Sequence, residues 1–247
     1  MGADAVSFLA RIGAVLGRTA AATAGRGDAA PATEWAERAQ RIRAAALGRW
    51  EELLPRFAIE LEAVAGVLHR ATAATVPALV SRIALERQFS RVVTWAEAAL
   101  GVPGLLANLR AEGLQVAEGS PHRDGGQHPG LDQGFRDVLD RAEIGLTEVD
   151  YAVAESGSLI LMSGLGKGRL VSCLPVVHVA LLRPGQLLDT WDEVSVLLEA
   201  LHRQDAFAES QSSITFITGP SRTADIEFSL TRGVHGPKEV HVIALDR

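Results

Sequence analysis

One cysteine, Cys173, is all that the 247 residues carry. A disulfide within the chain is therefore excluded, as is a metal site of cysteines alone. An iron–sulfur cluster held by this chain alone is excluded too. Set in "LVSCLPVVHVALL", Cys173 reads as a small buried hydrophobe rather than a nucleophile. An excess of basic residues is also missing. Lys and Arg number 24 against 30 Asp and Glu, for a net charge of −6, so no broad basic surface for nucleic acid is expected. Long apolar runs are missing as well. Leu170 to Leu182 is broken by Pro175 and His178, and a bilayer span needs about 20 residues. The opening "MGADAVSFLARIGAVLG" has no basic stretch ahead of its apolar part, and Arg11 and Arg18 fall within a helical pattern. It does not read as a signal peptide, and the cytoplasm is the default location. There is no G-x-S-x-G elbow, so a hydrolase triad is a poor explanation. No internal repeat is visible.

What is present is the balance of a globular chain, 47% apolar and 22% charged. The length suits one large domain, or one domain with a helical appendage. Residues 5–17 carry Phe8, Leu9, Ile12, Val15 and Leu16 on one helical face. A small-residue linker follows near 18–32. Pro31, Thr33, Glu34 and Glu37 make a helix start. From Trp35 to about Arg70 apolar residues recur at three and four, and Pro55 is expected to divide this stretch into two helices. Another helix follows Pro77. "FSRVVTW" and "LQVAE" have strand character and flank a helix in "PGLLANLRAEG". Residues 119–134 form a long polar loop with His122, Asp124, His128 and Asp132, whose spacing matches no metal-ligand pattern. "VDYAVA", "SLILMS", "VVHVALL", "SITFIT" and "VHVIAL" read as strands, and Thr190 caps a helix in "TWDEVSVLLEALHRQ". Short apolar strands separated by helices indicate an open α/β sheet, largely parallel, with flanking helices.

Four clusters could carry chemistry. In "AESGS", Glu155 stands between a strand and a tight turn. Ser156, Gly157 and Ser158 can simply build that turn. A half-buried Glu155 can also exchange a proton. In "SGLGKGRL", Gly164, Gly166 and Gly168 surround Lys167 and Arg169, a setting for an anionic group but neither a Walker loop nor a dinucleotide fingerprint. In "ITFITGPSRTADIE", a strand breaks at Gly219-Pro220 before Ser221, Arg222, Thr223, Asp225 and Glu227. Ser221 or Thr223 would cap a following helix, and Arg222 could reach an anionic oxygen. Asp225 and Glu227 would pair with nearby cations or contact a ligand. In "RGVHGPKEVHVIALD", His235 sits in a glycine-rich turn before the last strand, with Gly236 and Lys238 beside it, and is the proton carrier of the region. His178 and His241 lie inside strands and read as core or sheet-edge histidines.

"EVDYAVAESGSLIL", "GRLVSCLPVVHVALL" and "ITGPSRTADIEFSLTRGVHGPKEVHVIALD" occur in that order. Together they resemble the lactate-utilisation protein C family, the LUD domain, over roughly residues 75–247, after an N-terminal helical region of residues 1–74. The resemblance implies a fold like that of the ribose-phosphate isomerase, glucosamine-phosphate deaminase and CoA-transferase group. It also implies a ligand crevice at the carboxyl ends of the strands. It implies an accessory or non-redox role in oxidising L-lactate to pyruvate. Two partner proteins would act beside it, at least one of them carrying iron–sulfur clusters, with no cofactor or metal in this chain. Carried over by position, Glu155 to Ser158, Arg169, Pro175, His178, Gly219 to Glu227 and His235 to Glu239 match the family's motifs. Glu155 and His235 would handle a proton. Ser156, Gly157, Ser158, Lys167, Arg169, His178, Gly219, Ser221, Arg222, Thr223, Asp225, Glu227, Gly236 and Lys238 would hold a small anionic ligand. Two other readings remain open at this point. One is an isomerase or transferase acting on a phosphorylated sugar or CoA ester. The other is a ligand sensor or assembly module without catalysis. Separately, N-terminal helices rich in Ala, Leu and Trp offer a surface for a second copy of the chain in a homo-oligomer.

Overall fold

The computed structural model describes residues 31–118, 133–203, 211–224, 230–232 and 236–246. Helix α1 (Ala32–Gly48) runs almost directly into α2 (Trp50–Ala63). The break falls at Arg49, not at Pro55, which lies inside α2. A proline near the start of a helix removes only one intrahelical bond. Trp50, Leu53, Leu54, Phe57 and Leu61, each no more than 4% exposed, hold that helix against the core. The helical pattern expected to reach Arg70 stops early. Ala65, at φ 65°, and Gly66 turn back onto Glu62 O and Leu61 O. A Cβ on Gly66 would lie 2.4 Å from Leu61 Cδ1. Strand β1 (Val67–Ala71) follows, so the first strand lies within the stretch the sequence pattern assigns to helices.

The chain continues through α3 (Val76–Leu85), β2 (Arg91–Thr94), a short 3-10 turn at Glu97–Ala99, α4 (Leu105–Ala111), β3 (Gln115–Glu118), α5 (Gln133–Arg141) and β4 (Ile144–Glu148). Then come β5 (Tyr151–Val153), β6 (Ser158–Gly164), α6 (Leu170–Cys173), β7 (Val177–Leu182), β8 (Leu187–Leu188) and α7 (Trp191–His202). Last are β9 (Gln211–Ile217), β10 (Arg222–Ala224), β11 (Leu230–Arg232) and β12 (Glu239–Leu245).

Six strands form a sheet in the order β1-β12-β7-β4-β2-β3, every pair parallel. Its central strands are apolar on both faces, because α-helices or a second layer cover both. Every residue of β4 and β7 is buried. The second layer is a four-stranded sheet, β8-β5-β6-β9, in which β6 is antiparallel to both neighbours. Alternation sorts its residues. Ala152, Ala154, Leu159 and Leu161 face the main core, while Val153 and Ile160 face a smaller core under α1 and α7 with Ala39, Ala46, Val194 and Leu197. This separate sheet was not foreseen, because a strand buried on both sides reads alike in either kind of sheet. No helix among the described residues is long and apolar enough to cross a membrane.

Candidate functional site

Three of the four clusters come together where the parallel strands begin. The turn after β5 places Gly157, at φ 62°, against α2, so closely that a Cβ would lie 2.4 Å from Leu61 N. Gly219, at φ 76°, approaches the next turn of the same helix, with Val64 O 2.1 Å from where its Cβ would be. Only glycine fits either position. A hydroxyl chain ties the two segments: Ser156 Oγ donates to Ser158 Oγ at 2.9 Å, and Ser158 Oγ lies 2.8 Å from Thr218 Oγ1. Beyond Gly219, Ser221 N donates to Pro237 O at 2.9 Å, and Gly236 packs against the Ser221 side chain. Lys238 N in turn bonds Val176 O, just ahead of β7. The "AESGS", "TGPSR" and "HGPKE" segments thus share one rim at the amino ends of β12 and β7. This corrects the crevice expected at the carboxyl ends. Arg222 and Lys238 are exposed on this rim.

Glu155 is occupied locally. Its Oε1 accepts from Trp191 N at 2.6 Å, at the start of α7. That bond supplies what Thr190 was expected to give, since Thr190 makes no side-chain cap. A carboxylate there also suits the positive end of the helix dipole. The helix expected after Ser221 is not formed at its start: Arg222–Ala224 pair as β10 with Leu230–Arg232, so Ser221 and Thr223 cap no helix there. Asp225, Glu227 and His235 lie outside the described residues, as do the loop histidines and residues 5–17.

The fourth cluster sits elsewhere. Lys167 Nζ is 2.6 Å from Asp150 Oδ1 and 5.0 Å from the Trp95 ring centre, at the carboxyl ends of β4 and β2. Trp95 Nε1 donates to Gly168 O, which anchors the glycine loop to that end. Arg169, at the start of α6, is exposed. His178 is removed from the ligand set. It is fully buried inside the sheet, 2.9 Å from Thr147 Oγ1, and presents no surface to the rim. Burial pushes its pKa down to about 3, so it is neutral.

A histidine network next to the rim went unrecognised in the sequence. Glu239, the first residue of β12, accepts from Arg87 Nε at 2.9 Å and contacts His241 Nε2 at 3.0 Å. His241 Nδ1 lies 2.9 Å from His69 Nε2, and the two rings stack. Burial lowers the pKa of both histidines, and the Arg87 guanidinium holds Glu239 below the usual carboxylate range. The signal was the period-two spacing of Glu239 and His241, which puts them on one face. Their partners, Arg87 just past α3 and His69 on β1, are too distant in sequence to read. No group of three His, Cys, Asp or Glu suited to a metal exists among the described residues.

A family model described as the LUD domain matches residues 54–245. The chain is 36% identical over 158 residues to lactate utilization protein C of Halalkalibacterium halodurans, covering 63% of each. It is 40% identical over 107 residues to the protein C of Shouchella clausii, covering 42% of this chain and 44% of that one. To lactate utilization protein B of Shouchella clausii it is 33% identical over 105 residues, 20% of that protein's length. These matches span less than two thirds of each relative. A solved DUF162 family protein from Deinococcus radiodurans has the same fold. Its TM-score is 0.53 at 22% identity, over 79% of this chain and 98% of that one.

Proposed function

Because the chain belongs to the LUD domain family, we propose that it serves lactate utilisation as an accessory, non-redox subunit of an L-lactate oxidation system. The rim at the amino ends of β12 and β7 holds a small anionic ligand for that role. Arg222 and Lys238 supply positive charge, and the Ser156 and Thr218 hydroxyls, joined through the buried Ser158, supply hydrogen bonds. The observation that carries this reading is the bond from Ser221 N to Pro237 O. It clamps two polar, glycine-containing segments into one surface. A glycine at 219 lets that surface press onto α2. No packing need calls for charged side chains there.

Electron transfer then belongs to partners that carry iron–sulfur clusters, in keeping with one cysteine in this chain. That a protein named lactate utilization protein B shares a stretch with this chain supports a shared assembly. The test is twofold. The purified chain with L-lactate and a redox dye gives no dye reduction. An Arg222→Gln, Lys238→Gln variant produced in a host lacking its own copy fails to restore growth on L-lactate. Dye reduction by the isolated chain, or full growth with the variant, overturns the proposal. A phosphate site around Lys167, as an isomerase or CoA-ester transferase would need, has less support, because the Lys167 ammonium is held between Asp150 and the Trp95 ring.

A further inference from the structure

At the opposite end of the main sheet, β4 finishes in Glu148 and β7 runs on into Arg183. Glu148 is 5% exposed. Its Oε1 accepts from Arg183 Nε at 2.9 Å, from Arg183 Nη2, and from Gln186 Nε2 at 2.8 Å. Gln186 also donates to Val149 O and accepts from Arg183 N. The other carboxylate oxygen, Oε2, is buried with no hydrogen-bond partner. Gly101 passes over it, and a Cβ there would lie 2.7 Å both from Oε2 and from the Arg183 guanidinium carbon. One fixed carboxylate therefore aims one arginine. A buried carboxylate oxygen left without a partner is uncommon, and here it belongs to the group that holds Arg183.

Arg183 and Gln186 line a groove of about 530 Å³ with Arg43, Leu47, Pro184 and Gly185. Arg43 is pinned as well, since its Nε donates to Tyr151 Oη at 3.1 Å. Two guanidiniums, each bonded to a neighbour, thus border one open groove; Glu148 offsets part of the Arg183 charge from behind, and no carboxylate lines the groove itself. Guanidinium forks match the oxygens of phosphate and carboxylate groups, and pinning reduces the entropy lost on binding. Leu47, 47% exposed, and Pro184 offer apolar surface for the organic part of a ligand.

We propose that this groove binds a small organic oxyanion, a phosphate ester or a carboxylate, between Arg43 and Arg183, with Glu148 as the positioning residue behind Arg183. It is a second site, at the other end of the strands from the rim assigned to lactate utilisation, and it stands without that assignment. The test is a thermal-melt titration of the full chain at matched ionic strength. The probes are glycerol 3-phosphate, inorganic phosphate, pyruvate and L-lactate, and the comparisons are R43Q/R183Q and E148Q. A ligand that binds only the folded state must raise the midpoint. At least one probe raises it in the wild type. The double variant, checked for native circular dichroism, weakens that binding by roughly a hundredfold, about tenfold per guanidinium. E148Q weakens binding by a smaller factor, and the loss scales with the freed Arg183 rather than with ligand charge. A response to the phosphates alone makes the ligand a phosphate ester, and one to the acids alone makes it a carboxylate. No shift with any probe overturns the proposal, as does an equal shift in R43Q/R183Q. The part of the shift that R43Q/R183Q removes persists in R222Q/K238Q, which disables only the rim, so the two proposals fail separately.

Discussion

The two ends of the parallel sheet are built from different materials. At the amino end of β12 and β7, backbone carries the structure. Gly157 and Gly219 sit where no side chain fits, hydroxyls link the turns, and a main-chain bond joins Ser221 to Pro237. At the carboxyl end, side chains carry it. Glu148 grips Arg183, Asp150 grips Lys167, and Trp95 holds the glycine loop. The rim tolerates almost no change at its two glycines, yet it leaves Arg222 and Lys238 exposed. An end fixed by ion pairs has spent some of its charge on itself.

Breaking the backbone-built end has the largest effect. Gly219→Val places a branched side chain 2.1 Å from Val64 O at positive φ, and about 3 kcal/mol or more of stability is lost. Gly157→Val behaves alike. Gly113→Ala, also at positive φ but with nothing within 4 Å, loses only about 1 kcal/mol. Urea midpoints for the three variants check this, and equal losses would mean that strain rather than close approach governs the rim. At the other end, Glu148→Ala leaves Arg183 and Gln186 without their acceptor. Arg183 is 46% exposed and falls back on water, so about 2 kcal/mol is the expected loss by the same measurement.

Titration separates the two ends by pH. His69, His178 and His241 all have lowered pKa values, so the unfolded chain binds their protons more readily. Their contribution to stability is complete above about pH 6.5 and is lost as pH falls through the folded values. The melting temperature should drop on acidification from pH 7 to 5. His241→Asn should flatten that drop, while Arg183→Gln should leave its slope unchanged. The smallest effect belongs to Ser158→Ala, which cuts the hydroxyl chain and loses about 1 kcal/mol in the same melts.

Much of this fold was legible. Strands that alternate or run apolar, such as "VVHVALL", and the helix closed by Gly113 stand where their patterns put them. β1 was hidden because "VLHRA" continues a helical spacing, and only the turn at Ala65 and Gly66 stops it. The glycine and hydroxyl content of the rim segments marked each as a candidate but did not say that they meet. Which end of the sheet they occupy was not. That depends on strand order, set by contacts such as α6 passing so near Gly145 that a Cβ would lie 1.8 Å from Val171 O. Glu148 and Arg183 drew no notice because their partnership spans 35 positions with no motif around either.

Strand β12 lies between β1 and β7, yet it is made long after both. His69 and His241, which touch across that pairing, are 172 positions apart. During synthesis β1 waits for its neighbour, and the flank of β7 stays uncovered until residues 239–245 have been made. Contacts of such long range slow folding and leave sticky intermediates. Yield of intact protein in the cell should therefore hinge on translation speed and chaperone supply while residues 183–245 are made.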